Sequence, residues 1–249
     1  MFTQIERKKT QGGNVLFLIL IAVALFAALS YVVTQSTRSG GGSTEREKNI
    51  LSGAQMTQYP TALRTGLIRM VLGGTPIEQI RFDNPGSTAF TATSARLLVF
   101  HPQGGGAMFQ EAGGELSKTG TAIQWYYNAN FDVPGIGIDG GGGNDVIAFL
   151  PGITQGICQQ VNEELSINKA GCASTDPGGE VPQLLAAVDV AKIKENMIVG
   201  PPAYVFPTAN MPNLECNATT HEPFLRKASG CFYDNTSKEY IFYSVLLER

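Results

Sequence analysis

The chain has 249 residues, of which 43% are hydrophobic and 16% charged, and its formal net charge is −3. This length and composition suit one or two folded domains with a sizeable core. The part after residue 38 carries 14 Lys and Arg against 20 Asp and Glu. Because binding to nucleic acid requires a basic surface that neutralises phosphates, we expect no nucleic-acid partner.

The first predicted element is a hydrophobic helix from Val15 to Val33. This run has no charged residue and no proline, and its length suits the roughly 20 helical residues that cross about 30 Å of hydrocarbon. A cleaved secretory signal is the alternative, because Arg7, Lys8 and Lys9 precede the run. The apolar part of such a signal spans only about 7–15 residues and precedes a small-residue cleavage site. The longer run here favours a retained transmembrane helix that contacts the lipid bilayer.

All four cysteines lie in the C-terminal part of the chain: Cys158, Cys172, Cys216 and Cys231. An even number of cysteines in an exported domain is typical of disulfides, whereas cytosolic thiols stay reduced. We therefore expect a bacterial inner-membrane protein with a cytoplasmic N-terminus and a periplasmic or extracellular C-terminal domain. Three pairings are possible, and the spacing favours neighbours, Cys158 with Cys172 and Cys216 with Cys231. A metal site is disfavoured because no C-x-x-C spacing occurs.

The residues ahead of the hydrophobic helix resemble a type IV prepilin or pseudopilin leader. A basic stretch ends in Gly12 and Gly13, and a long apolar helix follows at once. The resemblance covers the leader and this helix only. It implies cleavage between Gly13 and Asn14 by a prepilin peptidase, and packing of the apolar helix against other pilin-like subunits.

Two positions depart from the pattern of that family. Asn14 stands where the family usually has Phe or Met after the cleavage site. Leu18 stands at the fifth mature position, where the family usually has a glutamate that pairs with the amino terminus of a neighbour. Minor, tip-type pseudopilins also lack this glutamate, so Leu18 argues against a major filament subunit.

Composition divides the chain into a basic leader (1–13), a transmembrane helix (14–35), a Gly/Ser linker (36–43) and an exported globular domain (44–249). Each of three consecutive glycines in the linker costs about 1 kcal/mol inside a helix. We therefore expect the helix to break there, although pilins normally continue their helix through this region. Beyond the linker, the apolar spacing predicts an amphipathic helix that is interrupted near Pro60.

From Ile77 onward the pattern changes to short segments rich in β-branched and aromatic residues and bounded by Gly, Pro and Asn. The predicted strands are residues 96–100, 122–127, 145–150 and 239–247, and the predicted helices are residues 153–167 and 184–193. The last strand has the strongest signal and is expected inside the sheet. Together these elements predict an α+β fold with an antiparallel sheet packed against helices.

No catalytic constellation stands out, so we predict a protein that is not an enzyme and has no cofactor. His101 and His221 lack partners at the spacing of a zinc or nucleophile motif, and both are interpreted as turn or surface residues. Asp139, Asn144 and Asp145 surround a run of glycines and could supply oxygen ligands to calcium. They do not form an EF-hand, and a solvated turn is the favoured interpretation.

These features lead to two functional hypotheses. The first is a structural pilin-like or pseudopilin-like subunit of a bacterial secretion or surface-appendage system, anchored in the inner membrane. The second is a single-pass anchored envelope protein with no filament role, which binds a ligand or partner through glycine-rich loops or the aromatic residues 125–127. Processing after Gly13 separates the two hypotheses.

Overall fold

The structure is a computed structural model. It describes residues 13–138, 144–185, 190–195, 212–217, 219–220 and 223–249. The chain divides into two compact units, Met1–Glu47 and Lys48–Arg249.

The longest element is helix α1, Gly13–Leu72, with 60 residues. Within the second unit this helix is amphipathic. Its buried side chains recur every three or four residues, the spacing of one helical face, and they are Met56, Tyr59, Leu63, Leu67 and Met70. Packing of this face against the rest of the domain therefore stabilises the second part of α1.

The structure contradicts two expectations about α1, because the helix continues through the glycines at 40–42 and through Pro60. Nucleation is the costly step of helix formation, so an existing helix extends through poor helix formers at about 1 kcal/mol for each glycine. Pro60 lacks the N–H that would bond to the Met56 carbonyl. Pro60 is itself buried, and Met56 and Leu63 on either side lie in the core, so packing outweighs the lost hydrogen bond. Residues 36–43 are therefore helical, and the predicted break in the helix does not occur.

The second unit contains a four-stranded antiparallel sheet. Its strands are β1 Tyr126–Asn128, β2 Val146–Ile153, β3 Ser229–Asp234 and β4 Glu239–Leu247, in the spatial order β1–β2–β4–β3. Strand β4 lies between β2 and β3, as the strength of its sequence signal predicted. The sheet and its helices confirm the predicted α+β class.

In the described part of the domain there are two further helices, α2 Thr88–Ala92 and α3 Gln155–Glu164. Short 3-10 turns lie at Ile77–Gln79, Ala95–Leu97, Gly114–Leu116 and Val190–Lys194. Ser87 and Thr154 cap α2 and α3, each through a side-chain oxygen that accepts a backbone N–H. The strand predicted at 96–100 is wrong, because only its last three residues, Leu98 to Phe100, are buried, and the run pairs with Arg81 through a single bridge at Leu98. A short apolar run signals burial, and its periodicity does not separate a strand from a buried turn.

Both faces of the sheet are buried. In β2, for example, Ala148 and Leu150 face a core that includes α1 and α3, whereas Ile147 and Phe149 face a second core. Loop residues such as Phe131, Val133, Leu214 and Phe224 cover this second core. A strand that is buried on both faces has a continuous apolar sequence, which explains why β2 showed no alternation of polar and apolar residues.

Candidate functional site

The apolar run of α1 is the most exposed hydrophobic surface in the described part of the chain. From Val15 to Thr34 the run has a mean hydropathy of 2.8, and none of it is buried. Its length and composition suffice to cross a membrane. The predicted processing residue Gly13 is the first residue of α1, and Asn14 is the second. The predicted leader upstream of Gly13 lies outside the described residues.

All four cysteines form disulfides, but the predicted pairing is wrong. Cys158 pairs with Cys231 and Cys172 pairs with Cys216, across 73 and 44 residues of sequence. The first bond joins α3 to β3, and the second joins two loops. Helix α3 packs on β3, so this tertiary contact brings together cysteines that are distant in sequence. Two disulfides of this kind suggest an oxidising compartment.

The Cys158–Cys231 bond lies beside a second link between α3 and β3. The side chain of Asn162 donates to the Cys231 carbonyl at 2.8 Å and accepts from the Cys231 N–H at 2.9 Å. Asn162 is 4% exposed, so water does not compete for either bond. Strand β3 is at the edge of the sheet, and Asn162 occupies backbone groups that a further strand would otherwise use.

Of the two histidines, the structure describes only His101. His101 lies in a turn, where its Nδ1 accepts the Gln103 N–H at 3.1 Å and its ring lies 5.8 Å from that of Phe90. His221 lies outside the described residues. Among the residues that are described, no three His, Cys, Asp or Glu side chains lie close enough to hold a metal ion.

The calcium candidate is described only in part, because Asp139 lies outside the described residues. Asn144 and Asp145 are both buried. Asn144 donates to the Ala129 carbonyl at 2.9 Å. Asp145 accepts from the backbone N–H groups of Val133 at 3.2 Å and Arg249 at 3.3 Å. Both residues therefore form hydrogen bonds within the domain, and calcium binding stays a prediction.

The environment of Asp145 favours its neutral form. Burial raises the pKa of Asp145 to about 7. Backbone hydrogen bonds from Val133 and Arg249 oppose this shift, and the nearby carboxylates of Asp132 and Glu248 add to it. Asp145 therefore holds a proton in the folded chain at pH values where an unfolded aspartate is ionised.

This pKa predicts that the domain loses stability as the pH rises from about 4 to about 7. The folded chain binds more protons than the unfolded chain in this window, so the free energy of unfolding falls, by about 1.4 kcal/mol for each unit of pKa difference. Urea unfolding at pH 5 and pH 8 measures the change. The free energy of unfolding of the Asp145→Asn variant should depend much less on pH. That of Glu111→Gln, a change at an exposed position, should depend on pH as in wild type. An equal change in the free energy of unfolding between pH 5 and pH 8 in wild type and Asp145→Asn would contradict the prediction.

A groove of about 510 Å³ lies between α1 and the loop segment 107–116. Side chains that are almost fully buried form its floor, and they are Met56, Tyr59, Leu63, Leu116 and Trp125. Exposed side chains form its rim, and they are Gln55, Gln58, Met108, Gln110 and Glu115. Glu115 is the one charged side chain among these described lining residues. An apolar floor with a few polar groups at the rim is typical of a binding site.

Tyr59 connects the two walls of the groove. Its hydroxyl accepts the Gln110 N–H at 3.3 Å and lies 3.2 Å from the hydroxyl of Tyr127. Its ring lies 5.4 Å from that of Trp125. Burial raises the pKa of the Tyr59 phenol, so the hydroxyl stays protonated and the groove has no titrating base at this position.

The aromatic residues 125–127 do not form the exposed surface that the binding hypothesis considered. Trp125 and Tyr127 are 4% and 2% exposed, and Tyr126 is half-buried. No sequence signal indicated the groove, because the three glutamines, the methionine and the glutamate of its rim form no motif. Comparison of the chain with protein-family models, with curated proteins and with solved structures finds no match.

Proposed function

We propose that the chain is a pilin-like or pseudopilin-like subunit of a bacterial secretion or surface-appendage system. Helix α1 anchors it in the inner membrane, with the N-terminus in the cytoplasm and the disulfide-bonded domain outside. The observation that carries this proposal is the continuity of α1, Gly13–Leu72. One unbroken helix contains both the apolar run and the buried face that packs within the α+β domain. The expected break at the glycines was one argument against a pilin-like stalk, besides Asn14 and Leu18, and α1 contains no such break.

Two further features support the proposal. The apolar run is wholly exposed, and exposed apolar surface of this size needs lipid or other apolar helices around it. The disulfides agree with export of the domain. Because Leu18 replaces the usual glutamate of the family, a minor subunit is the more specific form of the proposal.

Processing after Gly13 tests this proposal. In bacteria with an active prepilin peptidase, we expect the mature chain to begin at Asn14, as measured by intact mass and N-terminal sequencing. The Gly13→Leu variant should keep residues 1–13, whereas Gly12→Ala should still be processed. A wild-type chain that keeps residues 1–13, in cells that process a control prepilin, would refute the pilin-like function.

The groove favours a second candidate function, an anchored envelope protein that binds a partner and enters no filament. This candidate predicts an unprocessed N-terminus together with binding at the groove. Processing of the N-terminus therefore distinguishes the two functions, and binding at the groove is measured in a separate experiment.

A further inference from the structure

A cleft of about 610 Å³ lies at one end of the sheet, where β1 and β4 begin and β2 ends. It shares no lining residue with the groove. Three exposed lysines from three different loops line it, and they are Lys118, Lys194 and Lys238. The fold therefore brings together positive charges that are far apart in sequence.

This arrangement of lysines contrasts with the acidic character of the domain. The chain after residue 38 carries 14 Lys and Arg against 20 Asp and Glu. Of the six lysines that follow Lys48 in sequence, three line this cleft. Glu239 is the one acidic side chain among its described lining residues. A positively charged cleft on an acidic domain attracts a negatively charged ligand to this place in particular.

The three ammonium groups retain donors for a ligand. Within the described residues, the Lys118 ammonium makes no hydrogen bond or ion pair. The Nζ of Lys194 lies 2.7 Å from a carboxylate oxygen of Glu239, and the Nζ of Lys238 donates to Asn235 Oδ1 at 2.6 Å. Because an ammonium group has three N–H donors, these single contacts leave donors on Lys194 and Lys238 as well.

The backbone of Lys238 provides a second observation. Its φ is 59°, in the left-handed region that favours glycine. A glycine at this position would relieve the strain, and strained residues of this kind concentrate at ligand sites. The strain at Lys238 is therefore consistent with a role for its side chain in the cleft.

The neutral groups of the cleft narrow the class of ligand. The hydroxyls of Ser117 and Thr119 lie 2.8 Å apart, and the Thr119 hydroxyl lies 2.8 Å from that of Thr121. Hydroxyls both donate and accept hydrogen bonds, and bonds in such a chain strengthen one another. The half-buried ring of Tyr126 also lines the cleft, and a partly exposed aromatic ring can pack against a sugar ring.

A ligand with acid groups alone would use these features poorly. Phosphate or a simple carboxylate offers only acceptors, and the Glu239 carboxylate repels it. No arginine, the side chain whose planar fork matches phosphate, is among the described lining residues. A ligand that carries hydroxyls as well as acid groups can donate to Glu239 and Thr119 while its acid groups contact the lysines. Sugars that bear carboxylates have this combination.

We propose that this cleft binds an acidic oligosaccharide. Its carboxylates contact Lys118 and Lys238, and its hydroxyls contact Glu239 and the hydroxyls of Ser117 and Thr119. A cleft of this volume accommodates a ligand larger than a single phosphate. Because every lining residue belongs to the second unit, this binding does not depend on whether the chain enters a filament.

Titration calorimetry of the full chain in detergent micelles tests this binding. The probes are trimers of galacturonate, of mannuronate and of glucuronate. We expect at least one trimer to bind, and its neutral methyl ester to bind about tenfold more weakly or worse. Binding should also weaken as the salt concentration rises, because salt screens charges at an exposed cleft.

Two lysine variants and a matched control locate the binding. Lys118→Gln and Lys238→Gly should each weaken Kd about tenfold, as expected for loss of a charge-assisted hydrogen bond. Lys169→Gln removes the same charge from a lysine outside the cleft, which pairs with Glu180, and should leave Kd within about twofold. Lys238→Gly also removes the backbone strain, so its unfolding temperature should equal or exceed that of wild type. Misfolding then does not explain its weaker binding.

Four outcomes would overturn this assignment of the cleft. The first is that none of the three trimers binds, and the second is that an acidic trimer and its methyl ester bind equally. The third is that Lys169→Gln weakens binding as much as the two cleft variants. The fourth is tighter binding of tripolyphosphate or tetraglutamate, which would assign the cleft to a phosphate or to an acidic polypeptide. Processing after Gly13 is measured separately, so failure here is distinguishable from failure of the pilin-like function.

Discussion

Replacement of both Cys158 and Cys231 by alanine is expected to lower the free energy of unfolding of the domain by about 4 kcal/mol. The two residues are 73 apart in sequence, and in the chain-entropy model a cross-link that closes a loop of this length stabilises the fold by roughly this amount. Both cysteines are fully buried between α3 and β3, so the loss of their sulfur atoms adds a packing cost. Urea unfolding measures the change, and the midpoint temperature should fall by about 8–16 °C.

The Cys172→Ala/Cys216→Ala variant is the matched control for this prediction. Its loop of 44 residues gives a similar entropic effect of about 4 kcal/mol, but Cys172 is only half-buried. If the Cys158→Ala/Cys231→Ala variant loses more free energy of unfolding than this control, the difference measures the packing between α3 and β3. Non-reducing proteolysis with mass spectrometry should recover peptides that contain Cys158 joined to Cys231. Peptides with Cys158 joined to Cys172, or a stability loss below about 1 kcal/mol, would contradict the prediction.

The disulfides show why part of the fold could not be predicted from sequence. Pairing of neighbouring cysteines is the natural expectation when only loop lengths are known. The actual partner of Cys158 depends on which strand lies under α3, and this strand, β3, follows more than 60 residues after the helix. No local pattern contains that information, because helix packing on a sheet depends on the whole topology.

Elements with strong local signals were predicted well. The apolar part of α1, strand β4 and most of β2 lie where hydrophobic periodicity and β-branched composition placed them. The errors occurred where packing outweighs local preference. Pro60 and the glycines at 40–42 are poor helix formers inside a long helix. Residues 97–100 are an apolar run, buried from Leu98 onward, without a strand partner beyond one bridge.

The groove was unpredictable for a different reason. Its walls come from α1 and from a loop segment about 50 residues later, and exposed glutamines such as Gln55, Gln58 and Gln110 carry no motif. By contrast, the candidate membrane anchor is one continuous segment, so its local sequence was enough to predict it.

Replacement of Asn162 by alanine is expected to lower the free energy of unfolding by about 3 kcal/mol. The change leaves the N–H and the C=O of Cys231 without their partner, and a buried unsatisfied polar group costs about 1–3 kcal/mol. Gln159→Ala on the same helix is the control. The Gln159 side chain makes no hydrogen bond in the described structure, so this variant should stay within about 0.5 kcal/mol of wild type. Urea unfolding gives both values.

The Asn162→Asp variant tests whether the two hydrogen bonds, rather than the side-chain volume, carry the effect. Ionised aspartate can accept the Cys231 N–H, but it cannot donate to the Cys231 carbonyl. Burial and this carbonyl should raise the pKa of the new carboxyl in the folded chain. The variant should therefore gain stability relative to wild type as the pH falls from 8 to 5, because the protonated acid can donate to the carbonyl. If Asn162→Asp matches wild type at both pH values, the bond to the carbonyl does not stabilise β3. If Asn162→Ala also exposes the Cys231 amide to hydrogen exchange, Asn162 is the group that closes this edge of the sheet.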